Sequence, residues 1–356
     1  MASGIFNLQR DFQVSEKVAW HKLTRVKKPE LTDFPEIKPT PLYYNADNFE
    51  GDKDMTFGNR RFFVPVAMDD GLPVAPPYCG ETIIDDAEKG CEAKNDKDSR
   101  GTYILFTPRE AWQWTTELLA GTDYNVESIG MLWNRSFWFI STELTELKSI
   151  SCGDGRKTNF QLNFSGGLDR SVSPQCELSS IVAVCHNTIS LSRATGNVLF
   201  HERATKHFSD RLEVAKSEIE KAVGMAAVFK AAMNSLAKNP CLPKRAERIY
   251  AGYITPPDAS KMSTRGINTV KTLTHLHTSG IDNKGETEFD LLNAYTQLLT
   301  RGSDDTKIPL GRRFASSEFG NNADSKADFY GLLTNPGRVP ERDAVECRGE
   351  KLLATA

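Results

Sequence analysis

One short stretch of this chain concentrates groups that could hold a polyanion. Arg193, His201, Arg203, Lys206, His207 and Arg211 follow closely on one another, and Glu202 and Asp210 are the only acids among them. If this stretch runs into a helix, several of its cations share a face, and neutralising phosphates needs only such a stripe. A second grouping, Trp133, Arg135, Phe137 and Trp138, interleaves an arginine with aromatic rings, as base-stacking surfaces do. A third, Gly153-Asp154-Gly155-Arg156-Lys157, puts two glycines before two cations. Backbone N–H groups there could cradle a phosphate, although an ordinary hairpin turn uses the same residues. With Arg170 in the next turn, the candidate nucleic-acid-binding residues are Trp133, Arg135, Arg156, Lys157, Arg170, Arg193, Arg203, Lys206 and Arg211. The competing reading makes these cations a solvated helix face and these rings part of a core.

Other chemistry finds little footing. There is no GxxxxGK[ST] loop, no GxGxxG after a strand, no HExxH and no GxSxG. His275 and His277 are two apart, which would put them on one face of a strand. No cysteine or carboxylate stands at matching spacing, so a surface pair is expected rather than a metal site. Cys185 and His186 are neighbours whose side chains diverge on a strand, which reads as a core cysteine. No catalytic residue, metal ligand or cofactor is expected.

Composition sets the frame. At about 100–200 residues per domain, 356 residues suggest two units. A hydrophobic content of 39% can bury a core, and a net charge of −3 excludes a protein coated in positive charge, though not a local basic stripe. No apolar run reaches the roughly 18 residues of a membrane span, and Met1 to Arg10 lacks the pattern of a signal peptide. The seven cysteines are scattered, which points to a reducing cytoplasm.

The elements that must position the candidate residues follow from local pattern. Residues 1–100 read as an irregular region: Pro29, Pro35, Pro39 and Pro41 forbid a long helix, and Arg60 to Val64 could form one strand. The charged stretch from Asp85 to Arg100 reads as a loop. An α+β core is expected over 101–238. There, Tyr103 to Phe106 reads as a strand, and Thr107-Pro108-Arg109-Glu110 opens a helix with a capping box that Gly121 ends. Trp112, Leu118 and Leu119 offer that helix its apolar contacts. Runs at Ile129–Trp133 and Phe137–Ile140 predict a hairpin, and Phe160 to Phe164 alternates as a half-buried strand does. Ile181 to Val184 is a buried strand or the start of a buried helix. Phe208, Leu212, Ala215, Ile219, Val223, Ala226, Met233 and Leu236 predict a long helix over 205–236. A mainly helical region should fill 239–336, with a helix over 286–301 and a connecting stretch over 240–285. Residues 337–356 read as a loose tail.

Residues 158–224 carry a resemblance. It runs through Thr158-Asn159-Phe160-Gln161-Leu162, the turn with Asp169-Arg170-Ser171, Leu178 to Thr188, and Phe200-His201-Glu202-Arg203 into the long helix. Trp20 to Leu23, Met131 to Leu144, Leu291 to Tyr295 and Arg313 to Gly320 extend it. This pattern resembles the phage/plasmid-like proteins of domain of unknown function 932. Gly166-Gly167-Leu168 stands where that family usually has a His or Trp before Asp-Gly-Ser. The resemblance implies residence on phages or plasmids and brings no catalytic residues. The order hairpin, strands, long helix is also similar to single-strand annealing recombinases, in which a hairpin and a helix form a DNA groove in a ring.

The expected fold is therefore α+β: an antiparallel sheet with a hairpin and a long helix, and C-terminal helices packed on it. The expected function is binding and annealing of single-stranded DNA, in recombination or replication of a phage or plasmid, by a cytoplasmic homo-oligomer without a cofactor. The alternatives are a nucleic-acid-processing enzyme and a counter-defence protein that binds a host protein.

Overall fold

The computed structural model describes residues 12–15, 24–41, 62–69, 72–78, 84–85, 106–132, 137–144, 150–151, 157–168, 172–182, 188–190, 193, 199–201, 212–302, 316–317 and 319–355. In chain order the strands are β1 (Phe12–Ser15), β2 (Thr24–Val26), β3 (Glu36–Pro41), β4 (Phe62–Asp69), β5 (Leu72–Tyr78) and β6 (Ile84–Asp85). Helix α1 (Pro108–Leu118) comes next, then β7 (Tyr124–Leu132), β8 (Phe137–Leu144), β9 (Ile150–Ser151), β10 (Lys157–Gly167), β11 (Gln175–Val182), β12 (Thr188–Ser190) and β13 (Phe200–His201). The rest is helical: α2 (Leu212–Lys238), α3 (Pro243–Ile254), α4 (Thr264–Ser279), α5 (Glu288–Arg301), α6 (Asn321–Thr334) and α7 (Val339–Ala354). This is the expected α+β class.

A nine-stranded sheet runs in the order β12-β11-β10-β8-β7-β1-β2, with β13 beside β11 and β9 beside β10. β7 pairs antiparallel with β1, and β11 with both β12 and β13, whereas β1 and β2 run parallel. The chain divides into two compact units, 1–142 with 163–176 and 199–219, and 143–162 with 177–198 and 220–356.

In the first unit, residues read as irregular form strands. β3 and β4 pair antiparallel over six residues, Pro39 opposite Pro65. β3 is an edge of the four-stranded sheet β3-β4-β5, in which β6 also pairs β4, and an edge tolerates a residue without an N–H. The predicted strand at 60–64 begins two residues later than expected, as β4. Helix α1 has the predicted capping box: the Glu110 N–H donates to Thr107 Oγ1 at 3.3 Å, and Glu110 Oε2 accepts from the Thr107 N–H at 2.7 Å. Its buried tryptophan is Trp114, not Trp112; Trp114 meets Phe164 edge to face at 5.8 Å. Gly121, at φ +90°, ends the turn that follows. At Gly166 a Cβ would lie 2.6 Å from the Trp138 ring, so only glycine lets that indole close on the strand.

β10 shows where the half-buried reading falls short. Phe160, Leu162 and Phe164 alternate with Gln161, Asn163 and Ser165 as predicted, but both sets are buried. Residues 127–132 and 137–142 of the hairpin strands are likewise buried without alternation. Strands covered on both faces keep their polar side chains only where hydrogen bonds satisfy them.

The second unit holds α3 to α7 and most of α2. α2 buries Ala226, Phe229, Met233 and Leu236; Phe229 meets Phe160 edge to face at 5.7 Å and stacks on Tyr330 at 5.5 Å. α5 falls where the helix over 286–301 was expected; Thr287 and Asp290 cap it, and Gly302, at φ +76°, follows it. It is buried nearly all round and, with α6, lies against β12. The stretch 240–285, read as a connection, is two helices, α3 and α4, and the loose tail 337–356 is helix α7. α7 was hidden because an apolar stripe does not dock it: only Gly349 and Leu352 are buried. Backbones meet instead, a Cβ at Gly349 falling 1.8 Å from the Arg248 carbonyl oxygen and one at Gly252 1.9 Å from that of Val345. The Arg348 guanidinium donates to the carbonyls of Gly252 and Thr255 across this contact.

Candidate nucleic-acid interface

Of the candidate residues, Trp133, Arg135, Arg156, Arg170, Arg203, Lys206 and Arg211 lie outside the described residues, as do Cys185 and His186. Lys157 opens β10, opposite Ser151. His201 is exposed on β13. Arg193 can be followed in detail.

Arg193 is held on three sides in the second unit. Its Nε donates to both oxygens of Glu177, at 3.0 and 3.2 Å. Nη1 donates to Asp324 Oδ1 at 2.7 Å and Nη2 to the Phe319 carbonyl at 3.3 Å. Ser190 Oγ donates to Glu177 at 3.1 Å and accepts from the Arg193 N–H at 3.3 Å. Burial disfavours the guanidinium charge, but Glu177 and Asp324 outweigh it and the pKa rises above its ordinary value. The residue thus ties β11 to the start of α6, joining segments far apart in sequence. Beside it lies a cavity of about 190 Å³ lined by Arg193, Asp324, Ala327, Asp328 and Arg338. It is smaller than the roughly 300–1,000 Å³ of typical ligand pockets. Its arginines are already matched: Arg193 pairs with Asp324 and Arg338 with Asp328 within the lining, and Arg338 also pairs with Glu341 beside it.

The same use of arginines recurs between α3, α5 and α7. Glu288, 1% exposed, takes Arg245 at 3.1 Å and Arg342 at 3.7 Å, and accepts from Asn239 at 2.9 Å. Arg245 and Arg248 both pair with Glu346. The histidine pair falls on a helix, α4, and its members part: His275 is exposed and His277 is fully buried. His277 Nε2 lies 2.9 Å from the Cys241 carbonyl oxygen. Burial pushes the Cys241 thiol up to about 12. Lys326, also buried, donates to Ser317 Oγ at 2.8 Å. Among the described residues no group of three or more His, Cys, Asp or Glu is placed to hold a metal ion, and no helix is long and apolar enough to cross a membrane.

A different cationic surface emerges on α4. Ser263 caps it, and Val270, Leu273 and His277 form its buried side. Arg265, Asn268, Lys271, His275 and Ser279 recur at spacings of three or four, all exposed, on the opposite side. The ion pairs among the described residues engage Lys27, Arg193, Arg245, Arg248, Arg338 and Arg342, and none engages Arg265 or Lys271. No aspartate or glutamate occurs between Ala259 and Ile281. That acid-free run was the signal available in the sequence, and reading the stretch as a connection concealed it.

A family model described as "Domain of unknown function (DUF932)" matches residues 99–327, well over half of the chain. The chain belongs to this family. The matched DUF932 region includes α1, the hairpin strands β7 and β8, the long helix α2, and α4, and it ends within α6. It brings together segments that first suggested the family: Arg193, just beyond the Leu178–Thr188 segment, binds the carbonyl of Phe319 in the Arg313–Gly320 segment. No curated protein and no solved structure matches the chain.

Proposed function

We propose that this DUF932 chain binds and anneals single-stranded DNA in the recombination or replication of a phage or plasmid. The observation that carries the proposal is the exposed face of α4, where Arg265, Lys271 and His275 stand in a run without acids. Unpaired cations on an exposed face are what a phosphate backbone needs, because each contact releases condensed counterions. Arg193, engaged by Glu177 and Asp324, supports the fold instead. The predicted order of hairpin, sheet and long helix, present here as β7–β8, β10–β11 and α2, supports the annealing part of the reading by analogy of fold.

Fluorescence anisotropy with a labelled single-stranded oligonucleotide, at 50 and 200 mM salt, tests this. Two to three phosphate contacts give a slope of roughly −1.4 to −2.1 in log K against log salt, a loss of affinity of roughly 7- to 18-fold between the two conditions. Absence of salt-sensitive binding by the folded chain would overturn the proposal and favour a protein partner.

A further inference from the structure

The chemistry of the α4 face restricts what it can recognise, and this restriction rests on the nucleic-acid reading above. We infer that α4 is a backbone site: it grips phosphodiester oxygens along one strand without reading bases or sugars, and accepts DNA and RNA alike. Between Ala259 and Ile281 there is no Phe, Tyr or Trp. Single-strand binding proteins that engage bases stack them on aromatic rings. The one ring on this face, His275, is tied to Ser279, whose hydroxyl oxygen lies 3.1 Å from Nε2.

Three hydroxyls of this helix are turned inward on its own backbone. Thr269 donates to the Arg265 carbonyl at 2.9 Å, Thr272 to that of Asn268 at 3.0 Å, and Ser279 to that of His275 at 2.7 Å. Hydroxyls so engaged have no proton to offer a base edge or a ribose 2′-oxygen. Beside the exposed Thr264 and Thr278, the face presents Arg265, Asn268, Lys271 and the His275 ring, whose N–H donors suit anionic oxygens. Arg265 and His275 are ten residues apart, about 15 Å along the axis. At about 3.4 Å per stacked nucleotide, the footprint is roughly four to five nucleotides.

The test uses the full chain and three labelled single strands of equal length: oligo-dT, mixed-sequence DNA and oligo-U RNA. The wild type should bind all three within about threefold. Arg265→Ala with Lys271→Ala should weaken all three together and flatten the salt slope by about 1.4, two phosphates at about 0.7 each. The charge-preserving pair Arg265→Lys and Lys271→Arg should keep the wild-type slope. Both side chains are exposed, so circular dichroism should show every variant folded. A preference above about tenfold for one sequence or sugar overturns the inference. So does wild-type affinity in the double alanine variant, or loss of binding in the charge-preserving one; in each case binding by the wild type leaves the proposed function standing. If the wild type binds none of the three, the proposed function falls and this inference falls with it.

Discussion

Replacing Arg193 by alanine should show what that residue does. Its two carboxylate partners differ sharply in exposure: the Glu177 side chain is 5% exposed and that of Asp324 is 62%. Removing the guanidinium leaves a buried carboxylate whose remaining described partner is the Ser190 hydroxyl. Breaking a buried pair in this way costs about 3–5 kcal/mol, because the orphaned charge stays desolvated. The Asp324 arm adds little, since pairs with an exposed partner are worth about 0–1 kcal/mol. Urea unfolding followed by circular dichroism measures the difference. With a slope of about 2.5–3 kcal/mol per molar, Arg193→Ala should lower the midpoint by about 1–2 M, and Asp324→Asn by less than about 0.4 M. Adding Glu177→Gln to Arg193→Ala should recover part of the loss, because the uncompensated charge is gone. The reasoning fails if Arg193→Ala moves the midpoint no more than Asp324→Asn does. It fails equally if Glu177→Gln makes the Arg193→Ala protein worse.

Three further outcomes follow from the helical unit. Gly349→Ala should destabilise by about 1–3 kcal/mol through overpacking and make α7 a site of rapid limited proteolysis, because its Cβ would fall 1.8 Å from a carbonyl oxygen of α3. Brief alkylation of the native chain at pH 8, read by peptide mass spectrometry, should modify exposed Cys347 and spare Cys241, buried and pushed up to about 12. The pH dependence has a definite sign at Glu346: burial raises its pKa, but Arg248 and Arg245 together lower it by more, and the net shift is downward. A carboxyl depressed in the folded state stabilises above its unfolded pKa and loses that contribution as pH falls through the folded value. Acid unfolding curves should therefore show Glu346→Gln losing stability near neutrality, with the gap to wild type closing below the ordinary carboxylate range.

Legibility in the sequence tracked how local each cause is. The cap of α1 was readable because Thr107 and Glu110 are three residues apart, and α5 was readable from its apolar spacing and its closing Arg301 and Gly302. α3 and α4 were missed because their buried sides are short and one member is the histidine His277. α7 was missed because its docking depends on the absence of a side chain at Gly349, which no periodicity reveals. Arg193 looked like a phosphate ligand because its acids stand 16 and 131 residues away. Charge proximity in sequence was a poor guide there. On α4, by contrast, the missing acids were plain in the sequence, but only the helix turned Arg265, Lys271 and His275 to one side.

The glycine contact between α3 and α7 also bears on the order of folding. Arg348 reaches a carbonyl 96 residues away in sequence, so the two helices can meet only after a long loop closes. The length-dependent part of that closure costs about 4 kcal/mol in chain entropy, roughly 2 kcal/mol more than closing the short loop between α3 and α4. Local helix pairs therefore form first, and the α3–α7 contact belongs on the native side of the folding barrier. Contacts made after the barrier govern escape from the native state rather than entry into it. The two glycines should therefore act as a kinetic latch: Gly349→Ala should leave the refolding rate nearly untouched and speed unfolding, as stopped-flow measurement of both rates would show.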